Sequence, residues 1–257
     1  YMKKFSFNLE NKNVLITGGS GFLGSQIVEA FLREDANVFI IDLKKPSKKT
    51  SALFFKSNIL NEKNLLKILS YFKKKKIQLD VLINNAAIDY IPNKSKNNKL
   101  NLENFSNNLW DKDLAVSLKG SYLCTKIFGT YMSKFNKGAI LNVSSDLGII
   151  APDQRIYKKS KFVKPVTYSV VKHGIIGLTK YTAAYWGKNN IRCNAIAPGG
   201  IYNGQDPSFI RNINKLIPLR RMAKKNEYNG LILFLCSEIS SYLTGSIVVA
   251  DGGRTII

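Results

Sequence analysis

Short apolar runs alternate along the chain with longer segments in which apolar residues recur every three or four positions. The uninterrupted runs predict strands buried on both faces, and the periodic segments predict helices. This alternation is typical of an α/β protein in which helices cover both faces of a parallel sheet, with ligands bound at the carboxyl ends of the strands. The clearest apolar runs lie at 14–16, 38–41, 81–83, 140–143 and 191–197.

A glycine cluster separates the first apolar run from the helix-period segment that follows. Gly19-x-Gly21-x-x-Gly24 has the spacing of a dinucleotide-binding turn. Glycines at these places allow a tight turn and a close approach of the backbone to pyrophosphate, which then binds at the helix N-terminus. The predicted nucleotide contacts in this turn are Gly18, Gly19, Ser20, Gly21, Phe22, Leu23 and Gly24.

The second apolar run ends in Asp42, eighteen residues after Gly24. A carboxylate at this point suits hydrogen bonds from the hydroxyls of an adenosine ribose, and it repels a 2′-phosphate. Lys44 and Lys45 follow directly and suit the extra phosphate if the loop folds back. The sequence therefore favours NAD, with NADP as the alternative.

A tyrosine precedes a lysine by one helical turn at Tyr168 and Lys172. Residues four apart share a helix face, and a nearby ammonium lowers a tyrosine pKa from about 10 toward the range of a general acid or base. The same spacing occurs at Tyr157 and Lys161, but a periodic apolar stripe follows Tyr168 alone. The pattern therefore predicts a proton donor on a helix at Tyr168.

Together with five further segments, these motifs resemble the short-chain dehydrogenase/reductase family over residues 13–253. The resemblance implies a Rossmann-type doubly wound parallel sheet of about seven strands, formed by residues 1–257 as a single NAD(P)-binding domain. It also implies an oxidoreductase that acts on alcohols and carbonyls. The five segments lie at 80–87, 110–120, 140–145, 191–201 and 243–253.

The family resemblance assigns a role to each candidate catalytic residue. Hydride passes between the nicotinamide and a carbonyl or alcohol carbon, and Tyr168 passes the proton. Ser145 hydrogen-bonds the carbonyl oxygen, and Lys172 binds the nicotinamide ribose while lowering the pKa of Tyr168. The implied cofactor contacts beyond the glycine turn are Asn58, Ile59, Asn84, Ala86, Ala87, Tyr168, Lys172, Pro198, Gly199 and Ile201.

The spacing to the Pro-Gly pair selects one of the two tyrosines. Pro198 follows Tyr168 by thirty residues, which is the spacing typical of the family, whereas it follows Tyr157 by forty-one. Ser117 is a departure, because the family usually has there an asparagine that supports a relay water near the lysine. A serine hydroxyl still bonds water, so we expect an altered relay. A cofactor-binding protein with little catalysis is the alternative.

The segment between Ser145 and Tyr168 is longer than the family commonly has, which predicts an inserted substrate loop near 146–167. Its five basic residues suit an anionic substrate such as a phosphorylated or acidic sugar, and a solvated lysine-rich loop is the alternative. A proline-containing segment near 202–225 is expected to form a substrate lid. The candidate substrate contacts are Asp146, Gln154, Arg155 and Tyr202.

The loop also suggests a pathway. The pattern Asp146-x-x-x-Ile150-x-Pro152-Asp153-Gln154-Arg155 resembles reductases of bacterial surface-sugar pathways, including flagellin modification and sialic-acid-like sugar biosynthesis. We therefore expect a sugar or sugar derivative of surface-glycan biosynthesis as the substrate. The rival substrate is a 3-oxoacyl thioester on an acidic acyl carrier protein, because basic surface residues also suit that partner.

The net charge of +22 raises the question of nucleic-acid binding. The cations are scattered, however, and neither a helix-turn-helix nor a zinc-finger pattern is present, so a nucleic-acid partner is not expected. A single histidine, His173, and three widely spaced cysteines predict no metal site.

The remaining expectations concern location and assembly. No stretch approaches the length of a membrane span, and the N-terminus lacks a leader-like apolar core, so we expect a cytoplasmic protein without membrane contact. The apolar segment at 109–128 and the C-terminal residues 246–257 resemble the two interfaces of the family. A homodimer or homotetramer of two-fold symmetry is therefore expected.

Overall fold

The computed structural model describes residues 6–90, 100–157 and 162–257. Its strands are β1 (Asn13–Thr17), β2 (Asn37–Asp42), β3 (Leu53–Lys56), β4 (Val81–Asn84), β5 (Gly138–Val143), β6 (Ile191–Pro198) and β7 (Ile247–Ala250). All seven are parallel and form one sheet in the order β3-β2-β1-β4-β5-β6-β7. The predicted doubly wound sheet is confirmed, and its strand order reverses between β1 and β4, which is where such sheets bind ligands.

Helices cover both faces of this sheet. They are α1 (Phe22–Arg33), α2 (Glu62–Lys74), α3 (Asn107–Leu114), α4 (Gly120–Cys124), α5 (Thr130–Ser133), α6 (Val166–Trp186), α7 (Pro207–Lys215) and α8 (Asn229–Cys236). Two π-helical stretches, Ala115–Lys119 and Thr125–Gly129, join α3, α4 and α5 end to end. None of the helices in the described part of the chain is both long and apolar enough to cross a membrane.

Alternate residues of each inner strand point to opposite faces, and each face has its own apolar core. Val14 and Ile16 pack with residues of α1 and α8, whereas Leu15 packs with residues of α2, α4, α5 and α6. Because both faces are covered, the last four of the five positions of β1 are buried. This is why the chain shows continuous apolar runs instead of a polar-apolar alternation.

A third apolar cluster joins the predicted substrate loop to the predicted lid. The loop contributes a short 3₁₀ helix, Gln154–Tyr157, and the lid contributes α7. The buried members of the cluster are Ile156, Tyr157, Phe209, Ile213, Ile217 and Met222. Three of the five basic residues noted in the loop, Lys158, Lys159 and Lys161, lie outside the described residues.

Candidate active site

The glycine turn after β1 is packed so closely that side chains are excluded. Gly18 has φ +67°, and a Cβ there would lie 2.8 Å from the Cα of Ala86. A Cβ on Gly24 would lie 2.0 Å from the carbonyl oxygen of Gly18. The side-chain amide of Asn85 donates to the carbonyls of Thr17 and Gly18, at 3.1 and 3.0 Å. These contacts hold the turn in one shape at the point where the strand order reverses.

The turn keeps polar groups that fit a dinucleotide phosphate. The hydroxyl of Ser20 is buried and has no hydrogen-bond partner among the described residues. Helix α1 begins after Gly21, which provides no side-chain cap for the first N–H groups. Phosphate oxygens satisfy both the hydroxyl and the helix N-terminus. The residues that would hold the pyrophosphate are therefore those of the turn itself.

Asp42 lies at the carboxyl end of β2 and connects that strand to the turn. One carboxylate oxygen accepts a hydrogen bond from the backbone N–H of Ser20 at 3.0 Å. The other accepts from the N–H groups of Leu43 and Lys44, at 2.6 and 3.3 Å. This placement beside the turn is the one that a contact with an adenosine ribose requires.

Tyr168 and Lys172 lie on α6 next to the carboxyl end of β5. The ammonium of Lys172 donates to the carbonyl of Val143 at 2.9 Å and lies 5.6 Å from the centre of the Tyr168 ring. The hydroxyl of Ser144 donates to the carbonyl of Lys172 at 2.8 Å, which ties the helix to the strand end. Burial lowers the pKa of Lys172 to about 8.

The expected lowering of the Tyr168 pKa is not what the structure shows. Burial raises the pKa of Tyr168 well above its ordinary value, and the negative charge of Asp89 raises it further. A side-chain hydrogen bond with Ser145 acts in the opposite direction but is the smaller effect. In the protein alone Tyr168 is therefore a neutral phenol, because loss of hydration outweighs the nearby ammonium.

Because Lys172 is buried, its titration makes the free energy of unfolding depend on pH. Comparison of the wild type with Lys172→Met measures this contribution. The folded pKa of about 8 lies below the ordinary 10.5, so the native state binds fewer protons between these values and the stability rises with pH. Between about pH 7 and about pH 10 we expect the wild type to gain roughly 2–3 kcal/mol of unfolding free energy relative to Lys172→Met. Urea unfolding of both proteins measures this difference, and parallel pH curves would contradict it.

Ser145 is held by a buried ion pair. Its hydroxyl donates to one carboxylate oxygen of Asp146 at 2.7 Å, and the other oxygen of Asp146 lies 2.7 Å from the guanidinium of Arg254. Both charged side chains are almost fully buried. The position of Asp146, predicted as a substrate contact, thus supports a role in orienting Ser145. Arg254, 108 residues further along the chain, had no sequence signal that linked it to the site.

Ser117 lies in the first π-helical stretch and faces the same site. Its buried hydroxyl accepts a hydrogen bond from the N–H of Ile88 at 3.0 Å. A cavity of about 10 Å³ lies between Ser117, Tyr168 and Lys172. That volume holds about one water molecule, so a serine at this position leaves room for a short relay.

A buried carboxylate that the sequence did not single out borders this cavity. Asp113 accepts hydrogen bonds from the hydroxyls of Tyr90 and Thr167, at 3.0 and 2.5 Å. Burial, followed by the hydrogen bond to Asp113, raises the pKa of Tyr90 to about 12. Because Thr167 precedes Tyr168, the carboxylate fixes the start of α6 on which the tyrosine is mounted.

Three of the predicted cofactor residues have side chains that contact other protein groups, Asn84 and Ile59 in the interior and Asn58 at an exposed position. The amide of Asn84 donates to Thr125 and Asn142, at 2.9 and 2.8 Å, within a buried network. Ile59 belongs to the core, and the carbonyl of Asn58's side chain accepts from the N–H of Leu60 at 2.9 Å.

The other predicted cofactor residues lie at the carboxyl ends of the strands. The N–H of Ala86 donates to the hydroxyl of Thr17 at 3.2 Å, and exposed Ala87 follows it. Pro198 ends β6, and the N–H of Gly199 donates to the carbonyl of Ala250 at 3.0 Å. Ile201 then forms an isolated parallel bridge with Ala223 in the predicted lid.

The predicted substrate residues in the loop and lid have varied surroundings. Gln154 exchanges two hydrogen bonds with the backbone of Lys164. The guanidinium of Arg155 is mostly exposed and forms two bonds to Asp153, at 2.9 and 2.8 Å. Tyr202 is 55% exposed. Among the four predicted substrate residues, Asp146 is the one whose side chain is hydrogen-bonded to a candidate catalytic residue, Ser145.

Tyr157 has a packing role between the loop and the lid. It is buried, and its ring stacks on that of Phe209 with the centres 5.2 Å apart. Burial raises its pKa. The surroundings of the two tyrosines favour Tyr168 as the proton donor, because Lys172 and Ser145 lie beside Tyr168.

Within the described ranges, no three His, Cys, Asp or Glu side chains are arranged to hold a metal ion. The three cysteines are buried, and burial raises the pKa of each to about 12. They are therefore neutral thiols that pack in the interior.

Known proteins resemble this chain over nearly its whole length. A family model described as enoyl-(acyl carrier protein) reductase matches residues 20–255. An NAD-dependent glycerol dehydrogenase of Listeria innocua is 29% identical, with 97% of this chain and 96% of the relative covered. A 3-oxoacyl-[acyl-carrier-protein] reductase of Thermotoga maritima is 32% identical, with 96% of this chain and 99% of the relative covered.

A solved structure agrees with these matches. The crystal structure of a short-chain dehydrogenase from Leptospira borgpetersenii with bound NAD⁺ is 33% identical to this chain. The two superpose with a TM-score of 0.90, over 99% of this chain and 97% of the other.

Proposed function

Because the chain belongs to the short-chain dehydrogenase/reductase family and is an oxidoreductase that acts on alcohol and carbonyl groups, we propose that it exchanges hydride between NAD and a carbinol carbon of a polyol or sugar. The observation that carries this proposal is the grouping of Ser145, Tyr168 and Lys172 at the carboxyl end of β5. That end of the sheet also holds the glycine turn that fits a dinucleotide.

Each of the three residues has a distinct task in this proposal. When bound, the nicotinamide cofactor accepts or supplies the hydride. In reduction the neutral phenol of Tyr168 gives its proton to the substrate oxygen as the carbinol forms. In oxidation Tyr168 must first lose its own proton, and the resulting phenolate then accepts the proton of the substrate hydroxyl as the carbonyl forms. Ser145, held by Asp146, orients the substrate oxygen. Lys172 is positioned to offset the negative charge of the phenolate.

NAD is the proposed cofactor because of where Asp42 lies. Its carboxylate touches the backbone of the glycine turn, so a 2′-phosphate in the same place would meet a negative charge. The NAD⁺ in the Leptospira structure and the NAD dependence of the Listeria relative support the same choice.

A polyol or sugar is the proposed substrate class. The relative from Listeria is a glycerol dehydrogenase. In the described part of the loop, Arg155 is paired with Asp153 and Lys164 with Asp89, so both cations face a carboxylate. This pairing favours a neutral hydroxylated substrate over the anionic sugar that the loop composition suggested. A role in surface-glycan biosynthesis stays a prediction.

A 3-oxoacyl thioester is the second candidate substrate. The reductase from Thermotoga supports it, as does the net charge of +22, which suits an acidic carrier protein. Reduction of such a thioester would use the same three catalytic residues, because it is also a carbonyl reduction.

Turnover of a panel of substrates tests both candidates. The purified protein is assayed with NAD and NADP on glycerol, butane-2,3-diol and aldohexoses, and with NADH and NADPH on an acetoacetyl thioester. We expect polyol or sugar oxidation with NAD, and we expect Asp42→Ala to narrow the preference for NAD over NADP. Turnover of the thioester alone would replace the polyol proposal, and no turnover with any substrate would support the non-catalytic alternative.

The predicted homodimer or homotetramer is retained as a proposal. Aromatic side chains are exposed on α4 and α6, among them Tyr122, Tyr181 and Tyr185. The rings of Tyr181 and Tyr185 stack on one another at 5.8 Å. Exposed aromatic groups of this kind are typical of contact surfaces between proteins.

A further inference from the structure

A lysine on the face of the Tyr168 ring forms an ion pair with an aspartate from a separate loop. The ammonium of Lys164 lies 3.8 Å from the ring centre and 2.5 Å from a carboxylate oxygen of Asp89. Lys164 belongs to the inserted loop, and Asp89 follows β4. The pair therefore borders the group that is proposed to handle the substrate proton.

The two charges differ in their access to solvent. The Lys164 side chain is 9% exposed, whereas that of Asp89 is 52% exposed. An ordinary surface ion pair has both groups in water and contributes little to stability. Here the ammonium is largely buried, whereas the carboxylate that it contacts remains about half exposed.

Separate hydrogen bonds hold the backbone of Lys164 and its ammonium. Gln154 accepts from the N–H of Lys164 at 3.0 Å and donates to its carbonyl at 2.9 Å. The ammonium also donates to the carbonyl of Tyr90 at 3.4 Å. A charge held this firmly can orient a ligand without first losing conformational freedom.

The opposite charges of Asp89 and Lys164 determine which ligand groups can bind beside them. A carboxylate with acceptor sites to spare takes a hydrogen bond from a hydroxyl, and an ammonium donates one to a hydroxyl oxygen. An anionic group would be repelled by Asp89, and a cationic group by Lys164. A neutral hydroxyl, which both donates and accepts, matches both charges at once.

We propose that Asp89 and Lys164 bind the hydroxyl group next to the reacting carbon of a neutral polyol substrate. This inference rests on the proposed function, and it names the residues that distinguish a vicinal diol from a simple alcohol. Asp89 accepts a hydrogen bond from the neighbouring hydroxyl, and Lys164 donates one to its oxygen. The reacting hydroxyl is left for Tyr168 and Ser145.

A matched pair of alcohols tests the proposal with NAD as the cofactor. For the wild type we expect kcat/KM for butane-2,3-diol to exceed that for butan-2-ol by a factor of at least about 10–100, the worth of one hydrogen bond to a charged group. Asp89→Asn and Lys164→Met should each lower this ratio by about 10-fold or more, and Lys164→Arg should restore part of it.

The ratio separates substrate recognition from general damage, since misfolding lowers both rates together. Lys137→Met is the control for loss of a paired lysine remote from the site, because Lys137 forms an exposed ion pair with Glu238, at 3.6 Å, near the amino end of β5. It should leave the ratio as in the wild type. A ratio unchanged in both Asp89→Asn and Lys164→Met would overturn the proposal while the proposed function stands. Absence of turnover of either alcohol by the wild type would instead count against the proposed function.

Discussion

Replacement of Tyr168 by phenylalanine is expected to lower kcat by a factor of about 10³–10⁴, while NAD still binds. The ring centre of Tyr168 lies 3.8 Å from the Lys164 ammonium and 5.6 Å from that of Lys172, and phenylalanine keeps the ring and removes only the hydroxyl. Without it, no group at this position gives or takes the substrate proton. Steady-state turnover gives kcat, and fluorescence titration with NADH gives the dissociation constant of the cofactor.

Tyr157→Phe is the matched control for this experiment. Tyr157 is buried against Phe209 between the loop and the lid, so loss of its hydroxyl should leave a substantial rate. The reverse result, with turnover lost in Tyr157→Phe and kept in Tyr168→Phe, would move the proton donor into the inserted loop. It would also reject the spacing between Tyr168 and Pro198 as the basis for the assignment.

Gly24→Ala is expected to weaken NAD binding by more than about 100-fold and to lower the free energy of unfolding by roughly 1–3 kcal/mol. The added Cβ would lie 2.0 Å from the carbonyl oxygen of Gly18, a backbone atom that cannot move without opening the turn. Opening the turn shifts the Ser20 hydroxyl and the helix N-terminus, which are the groups suited to phosphate. Calorimetric titration with NAD and chemical unfolding measure the two effects.

Gly177→Ala provides a control for glycine replacement within a helix. Nothing lies within 4 Å of the Cβ that this change would add in α6. Because alanine favours the helix, the variant should be as stable as the wild type or more stable by about 0.5–1 kcal/mol. If Gly24→Ala bound NAD as tightly as Gly177→Ala, the turn would not be the phosphate site.

The strands that are buried on both faces could be predicted, because burial of this kind produces short apolar runs in the sequence. The runs that became β1, β2 and β4 have continuously apolar centres, and those of β5 and β6 are mainly apolar, because helices cover both sides of the sheet. The edge strand β3 has exposed positions at both ends and gave a weaker pattern. The π-helical stretches between α3 and α5 had no sequence signal, because their apolar spacing is close to that of an α-helix.

The candidate site is predictable where its groups lie close together in sequence. The glycine turn and the pair Tyr168 and Lys172 are of this kind, and the structure brings Ser145 to them at the adjacent strand end. Groups brought in by tertiary packing were missed. Arg254 contacts Asp146 across 108 positions, and Lys164 contacts Asp89 across 75. Local patterns give the face of an element but not its distant partner.

The pKa of Tyr168 was predicted in the wrong direction for the same reason. A lysine one turn away is visible in the sequence, whereas the loss of hydration around the phenol depends on the whole packed site. The side-chain partners of Asn84 show a similar limit of local patterns. Its position at the end of β4 is evident from the sequence, but its side chain bonds to Asn142 in the interior.

The most direct test of the central claim follows the hydride itself. Butane-2,3-diol that carries deuterium on both carbinol carbons is incubated with NAD and the purified protein, and the cofactor is then analysed by mass spectrometry. The predicted result is deuterated NADH from the wild type and about 10³–10⁴-fold less of it from Tyr168→Phe over the same time. NADH formed without the label would contradict hydride transfer from the carbinol carbon. Equal amounts of labelled NADH from the two proteins would contradict the dependence of that transfer on Tyr168.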